Sequence, residues 1–117
     1  MFDDAEMKIY VDVESGLSRV RGNKTIYKRM LQLFLQSEEF ASFEAQLEAK
    51  DYQRASEVAH GIKGMTGNLG MPRIFEMSAD LMVKLKDGPV DESIIDEYRD
   101  ILEKTREYAK AASAELA

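Results

Sequence analysis

The sequence predicts an all-α fold, an antiparallel four-helix bundle with a short extra N-terminal helix. Three observations predict it. Apolar residues recur at helical spacing through most of the 117 residues, while the period-two alternation of strands is scarce. The only two prolines, Pro72 and Pro89, fall where helices should begin or end. Four long amphipathic segments are joined by connections too short for anything but antiparallel neighbours.

The elements follow in chain order. Residues 1–11 carry no clear pattern and are expected to be a loose lead-in, leaving 12–117 as one domain. A short helix is expected from Asp12 to Val20, with Val13, Leu17 and Val20 on one face; Arg21-Gly22-Asn23 interrupts it. Asn23 suits an N-cap, and a longer helix starts at Lys24 with Tyr27, Met30, Leu31 and Phe34 inward. The stripe changes register near Ser37-Glu38-Glu39 before Phe40, Phe43 and Leu47, which predicts a kink or a break.

Asp51 caps a helix over Tyr52–Leu69, and Gly70 fits the left-handed position that often ends one. Pro72 opens the next helix, which runs to about Lys86 with Ile74, Met77, Ser78, Leu81 and Leu85 inward. Lys84 and Lys86 favour the negative end of its dipole, and Gly88-Pro89 stops it. Asp91 caps the last helix, whose stripe is the cleanest in the chain: Ile94/Ile95, Tyr98, Ile101/Leu102, Thr105, Tyr108/Ala109 and Ala112. Core packing explains nearly all of these residues.

Composition narrows the function. Hydrophobic residues make up 44% and charged residues 32%, an ordinary globular balance. There is no cysteine and one histidine, which excludes disulfides, thiolate catalysis and Cys- or His-rich metal sites. A net charge of −6 argues against nucleic acid and anionic membranes as partners. No apolar run reaches the ~18 residues of a membrane span, and MFDDAEMKIY lacks a signal-peptide layout, so a cytoplasmic location is expected. Met1 and the absence of a linker at either end favour a freestanding protein.

The segment YQRASEVAHGIKGMTGNL departs from an ordinary core helix. At ~100° per residue, Val58, Ala59, Ile62, Met65, Thr66 and Leu69 share one side. His60 points roughly opposite, flanked by Gln53, Ser56, Glu57, Lys63, Gly64 and Gly67. Glycines at 61, 64 and 67 each cost about 1 kcal/mol relative to alanine within a helix, so absent side chains should serve a purpose. Gly64 and Gly67 lie beside the imidazole and leave it open to another protein's surface; Gly61 lies to the side and has only crowding to explain it.

An accessible imidazole beside an ammonium suits phosphoryl transfer. A free imidazole titrates near ~6.5 and so supplies a neutral nucleophile around pH 7. A ring nitrogen can hold a phosphoryl group as a phosphoramidate, and Lys63 can pair with its oxygens. Positioning and charge do most of such catalysis, provided a partner brings the metal and the other nucleophile.

These residues carry a resemblance. AHGIKGMTGNLG is similar to the signature of histidine-containing phosphotransfer (HPt) domains: phosphoacceptor His60, Lys63 at +3, Gly64 at +4, Gly70 at +10, with Ala59 also matching. DVESGLSRVRGNKTIYKRMLQLF resembles the family's opening and DYQRASEVAHGIKG its approach to the site, so most of the chain is covered. The resemblance implies a four-helix bundle with the histidine exposed on its second long helix. It also implies a phosphoryl group taken from the aspartate of one receiver domain and passed to another. By the same resemblance the chain binds no ATP and no cofactor, in line with its lack of a Gly-rich phosphate loop, and the Mg2+ belongs to the receiver. Its partners are response-regulator receiver domains and a hybrid histidine kinase, with the chain itself monomeric.

In the related phosphoacceptor domain of chemotaxis kinases, a carboxylate on the following helix contacts the imidazole. Here that position is Met82, with Ala79 one turn earlier and Glu76 and Asp80 the nearest carboxylates, which disfavours the chemotaxis form. The docking face is expected at Ser56, Glu57, Gly64 and Gly67, with Val13, Leu17 and Met30 as further apolar candidates. Two other readings compete: a docking adaptor that is never phosphorylated, and a phosphoacceptor domain excised from a hybrid or chemotaxis-type kinase. A ferritin-like metal bundle needs inward Glu-x-x-His pairs; Glu57-x-x-His60 faces outward and has no second histidine to join it.

Overall fold

The computed structural model describes residues 4–116. Seven helices follow in order: α1 (Asp4–Tyr10), α2 (Val13–Arg19), α3 (Lys24–Gln36), α4 (Glu39–Glu48), α5 (Tyr52–Leu69), α6 (Pro72–Leu85) and α7 (Glu92–Glu115), with no strand among the described residues. None of these helices is long and apolar enough to cross a membrane.

Polar caps set the helix starts, because the first backbone N–H groups of a helix have no partner within it. Asp12, Asn23, Asp51 and Asp91 each accept from a backbone N–H two or three residues on, at 3.2, 3.0, 3.1 and 3.0 Å. Gly70 ends α5 in the left-handed region at φ 72°, and Pro72 stands in the first turn of α6. The expected break near Ser37-Glu38-Glu39 is real: extended backbone at Ser37 separates α3 from α4.

Contacts give the topology. Ser56, early in α5, meets Met82, late in α6, while Gly67, late in α5, faces Phe75, early in α6. The pair is therefore antiparallel. Together α3 and α4 form one bent arm: Tyr27 reaches Leu69 at the end of α5, and Glu39 lies against Gly61 in its middle. The same arm runs antiparallel to α7, where Phe43 packs on Tyr98 with ring centroids 5.0 Å apart. Leu31, Phe34, Phe43, Ile62, Ile74 and Leu81 are fully enclosed between these four layers. Each such side chain contributes about 1.5–3 kcal/mol of transfer free energy, so the bundle rests on its core. Near its other end, Arg99 pairs with Glu44, Glu92 and Asp96 at 2.8–3.1 Å. These partners are well exposed, and such pairs add little stability.

The expected loose lead-in needs correction. Residues 4–10 are helical, Val11 is buried, and Tyr10 stacks on Tyr108 at 5.4 Å with rings 5° from parallel. The helix is short and its partner lies far along the chain, so no local pattern marks it. Residues 1–3 of that segment lie outside the described residues.

Candidate functional site

The site lies where α2, α5 and α6 converge, and close backbone packing brings them together. Gly16 in α2 is buried, and a Cβ there would overlap the Tyr27 ring. A Cβ on Gly70 would stand 2.8 Å from Asp12 O and 2.9 Å from Gly16 N, with φ already positive. Both positions therefore require glycine. Asp12 N–H donates to Gly70 O at 2.7 Å, and the Tyr27 hydroxyl donates to Leu69 O at 2.8 Å. This latch pins α2 and α3 to the C-terminal end of α5.

His60 is exposed on α5. Its Nδ1 lies 3.2 Å from Met82 Sδ on α6, the residue that spacing placed opposite it. Nε2, on the other edge of the imidazole, has no hydrogen-bond partner among the described residues. Toward α2, His60 borders an open groove of about 490 Å³, whose wall includes Lys63, Gly64, Arg19 and Phe75. On its other side is a smaller notch of about 230 Å³ bordered by Glu57, Met82 and Lys86. Arg19, Lys63 and Lys86 thus give a locally cationic rim on a chain of net charge −6.

Lys63 is half-buried, with Nζ 5.9 Å from the centre of the Phe75 ring. That distance is within cation–π range, so Phe75 holds the ammonium on the groove. Gly64 is exposed, and a Cβ there would meet nothing within 4 Å. No contact among the described residues requires glycine at this position, and its backbone is plain helix. Glu57 is exposed as expected.

Two expected docking residues are placed differently. Ser56 is 2% exposed, and its hydroxyl donates to Met82 O at 2.6 Å. The helix is covered by α6 as well as by α4, so its buried arc extends to Ser56 and makes it a strut. Gly67 is half-buried, and a Cβ there would come 3.0 Å from two carbons of Phe75. It allows Phe75 to lie close against α5 and so acts on Lys63 through packing. Gly61 faces Glu39, whose Oε2 would be 3.2 Å from a Cβ; this is the crowding expected there.

Sequence reasoning missed Arg19 and Phe75. Arg19 reaches the groove only through the Gly16–Gly70 approach, and Phe75 through the space over Gly67; neither has a local signature. Of the apolar candidates, Val13, Leu17 and Met30 are half-buried. Met30 borders a shallow apolar groove of about 260 Å³ between α3 and α5 with Leu33 and Met65. Asn68 borders both this groove and that of His60.

The sequence model of the Hpt domain family matches residues 29–108, a span from α3 well into α7 that holds His60, Lys63, Gly64 and Gly70. Comparison with curated proteins gives no match, and neither does comparison with solved structures.

Proposed function

Because the chain belongs to the Hpt domain family, whose members carry phosphoryl groups on a histidine in phosphorelays, we propose that it is a relay intermediate between two receiver domains. His60 is the phosphoacceptor. Its Nε2 lone pair attacks the phosphorus of a receiver's aspartyl phosphate, the N–P bond forms, and the P–O bond to the aspartate breaks. The carboxylate leaves with the electron pair. Transfer onward is the reverse, with the second receiver's aspartate attacking and His60 leaving.

The observation that carries this reading is the exposed imidazole, engaged by Met82 on one edge and free on the other, on a cationic rim. Lys63 and Arg19 stabilise charge on the phosphoryl oxygens, which is where it accumulates in such a transfer. Gly64 provides clearance for the receiver one turn from the imidazole. The receiver's body rests on the apolar groove at Met30, Leu33 and Met65, where Leu33 is 48% exposed. An apolar centre with a polar, charged border suits a transient partner. The chain works as a cytoplasmic monomer and takes its Mg2+ with the receiver.

The test is labelling by a receiver carrying radioactive aspartyl phosphate. The wild type should gain an acid-labile, base-stable label, and His60→Gln should abolish it. Label that survives this substitution sinks the assignment. Receiver binding without any label indicates the adaptor reading instead.

A further inference from the structure

We propose that Met82 is a positioning residue for this transfer. Its thioether accepts a hydrogen bond from Nδ1–H of His60 and so selects the tautomer whose free lone pair is on Nε2. The inference rests on His60 being the phosphoacceptor.

Two contacts bring α6 to the imidazole. Sδ of Met82 is 3.2 Å from Nδ1. The carbonyl of the same residue accepts from Ser56 Oγ at 2.6 Å, one turn before His60. The buried hydroxyl thus fixes the backbone that carries the thioether. Ser56 is almost wholly buried, so bracing α6 is the use the geometry gives it.

The chemistry of the contact is one-sided. A thioether has lone pairs and no proton, so it accepts and never donates. Of the two neutral tautomers of His60, only Nδ1–H satisfies it. A histidine side chain free in water favours the other one, Nε2–H, which offers no lone pair on Nε2 to an approaching phosphorus. Met82 therefore raises the share of competent imidazole before any receiver arrives, which raises the apparent reactivity in proportion. The Nδ1 proton is not moved during the attack.

A thioether is also neutral. A carboxylate in its place would favour the imidazolium and deplete the nucleophile near pH 7. The charged groups around His60 are Glu57 and Lys63 on α5, Lys86 just past α6 and Arg19 on α2, with Glu39 on α4 against the neighbouring Gly61. The first four carry three positive charges and one negative, so the carboxylate introduced by Met82→Glu would stand in a cationic surrounding, close enough to the ring to act on it.

The experiment reads the tautomer by two-bond nitrogen–proton correlation on the 15N-labelled full chain, alongside the rate of labelling by a phosphorylated receiver. The wild type should show Nδ1–H as the main neutral form. Met82→Leu keeps the bulk and loses the acceptor; it should revert to Nε2–H and accept phosphoryl groups roughly three- to fivefold more slowly, as the competent share falls. Met82→Glu supplies an acceptor again. It should keep Nδ1–H while moving the pH midpoint of labelling upward. Melting temperatures of both variants show whether the bundle is intact. A wild type found mainly as Nε2–H overturns the proposal, as does Met82→Leu with tautomer or rate unchanged. An unlabelled wild type refutes the phosphoacceptor reading and with it any role of Met82 in transfer. A labelled wild type with an insensitive tautomer refutes Met82 alone.

Discussion

Gly64→Ala should make the protein more stable and its phosphotransfer worse. Gly64 lies in the interior of α5, where replacing glycine by alanine gains about 1 kcal/mol. The structure sets no penalty against this gain, because a Cβ at 64 meets no atom within 4 Å. The melting temperature should rise by about 4 °C for a domain of this size. The same methyl group projects one turn from His60 into the space a receiver must enter. Forcing a methyl into a packed contact costs about 1–3 kcal/mol, which is about five- to 160-fold in transfer rate. Thermal unfolding followed by circular dichroism gives the first quantity, and single-turnover labelling by a phosphorylated receiver gives the second. A less stable variant would show that Gly64 has an intramolecular role. A more stable variant that accepts phosphoryl groups at the wild-type rate would refute the clearance argument.

Other substitutions probe the frame that holds the site. Gly16→Ala should destabilise the bundle by more than about 2 kcal/mol, since its Cβ overlaps a Tyr27 ring enclosed by core; denaturant unfolding measures it. Tyr98→Phe should be neutral or stabilising by about 1 kcal/mol, because the buried Tyr98 hydroxyl has no hydrogen-bond partner among the described residues. Alkaline titration gives a signed test. Burial first, then the nearby charges of Asp12 and Glu44 respectively, holds the Tyr27 and Tyr98 phenols above the ordinary value of 10. These phenols stay protonated in the fold while those of the unfolded chain ionise. The stability they contribute is full below pH 10 and falls as the pH rises beyond it, and Tyr98→Phe should shallow that decline.

The parts of this molecule set by nearby residues were legible in the sequence. Asn23, Asp51 and Asp91 announce their helices because a cap needs only its own next two or three residues. His60 reads as exposed because helical arithmetic opposes it to Ile62 and Thr66, both buried. Even Met82 could be counted across a tight turn, since Gly70 and Pro72 fix how α6 leaves α5. Features that depend on distant partners were not legible. Ser56 is hidden by Met82, 26 residues away, and α1 is held by Tyr108. Gly67 has the same spacing signal as Gly64, and only the position of Phe75 separates a packing glycine from a clearance glycine. Arg19 joins the site through a backbone approach that two glycines permit, which no spacing rule encodes.

The most direct measurement is the site and linkage of the phosphoryl group after reaction with a phosphorylated receiver. Peptide mapping under alkaline conditions, with 31P–1H correlation on the intact chain, identifies both. A single phosphoramidate at Nε2 of His60 is predicted. A phosphoryl group on Nδ1, on a hydroxyl or on a carboxylate, or a chain that binds phosphorylated receivers and is never labelled, would contradict it.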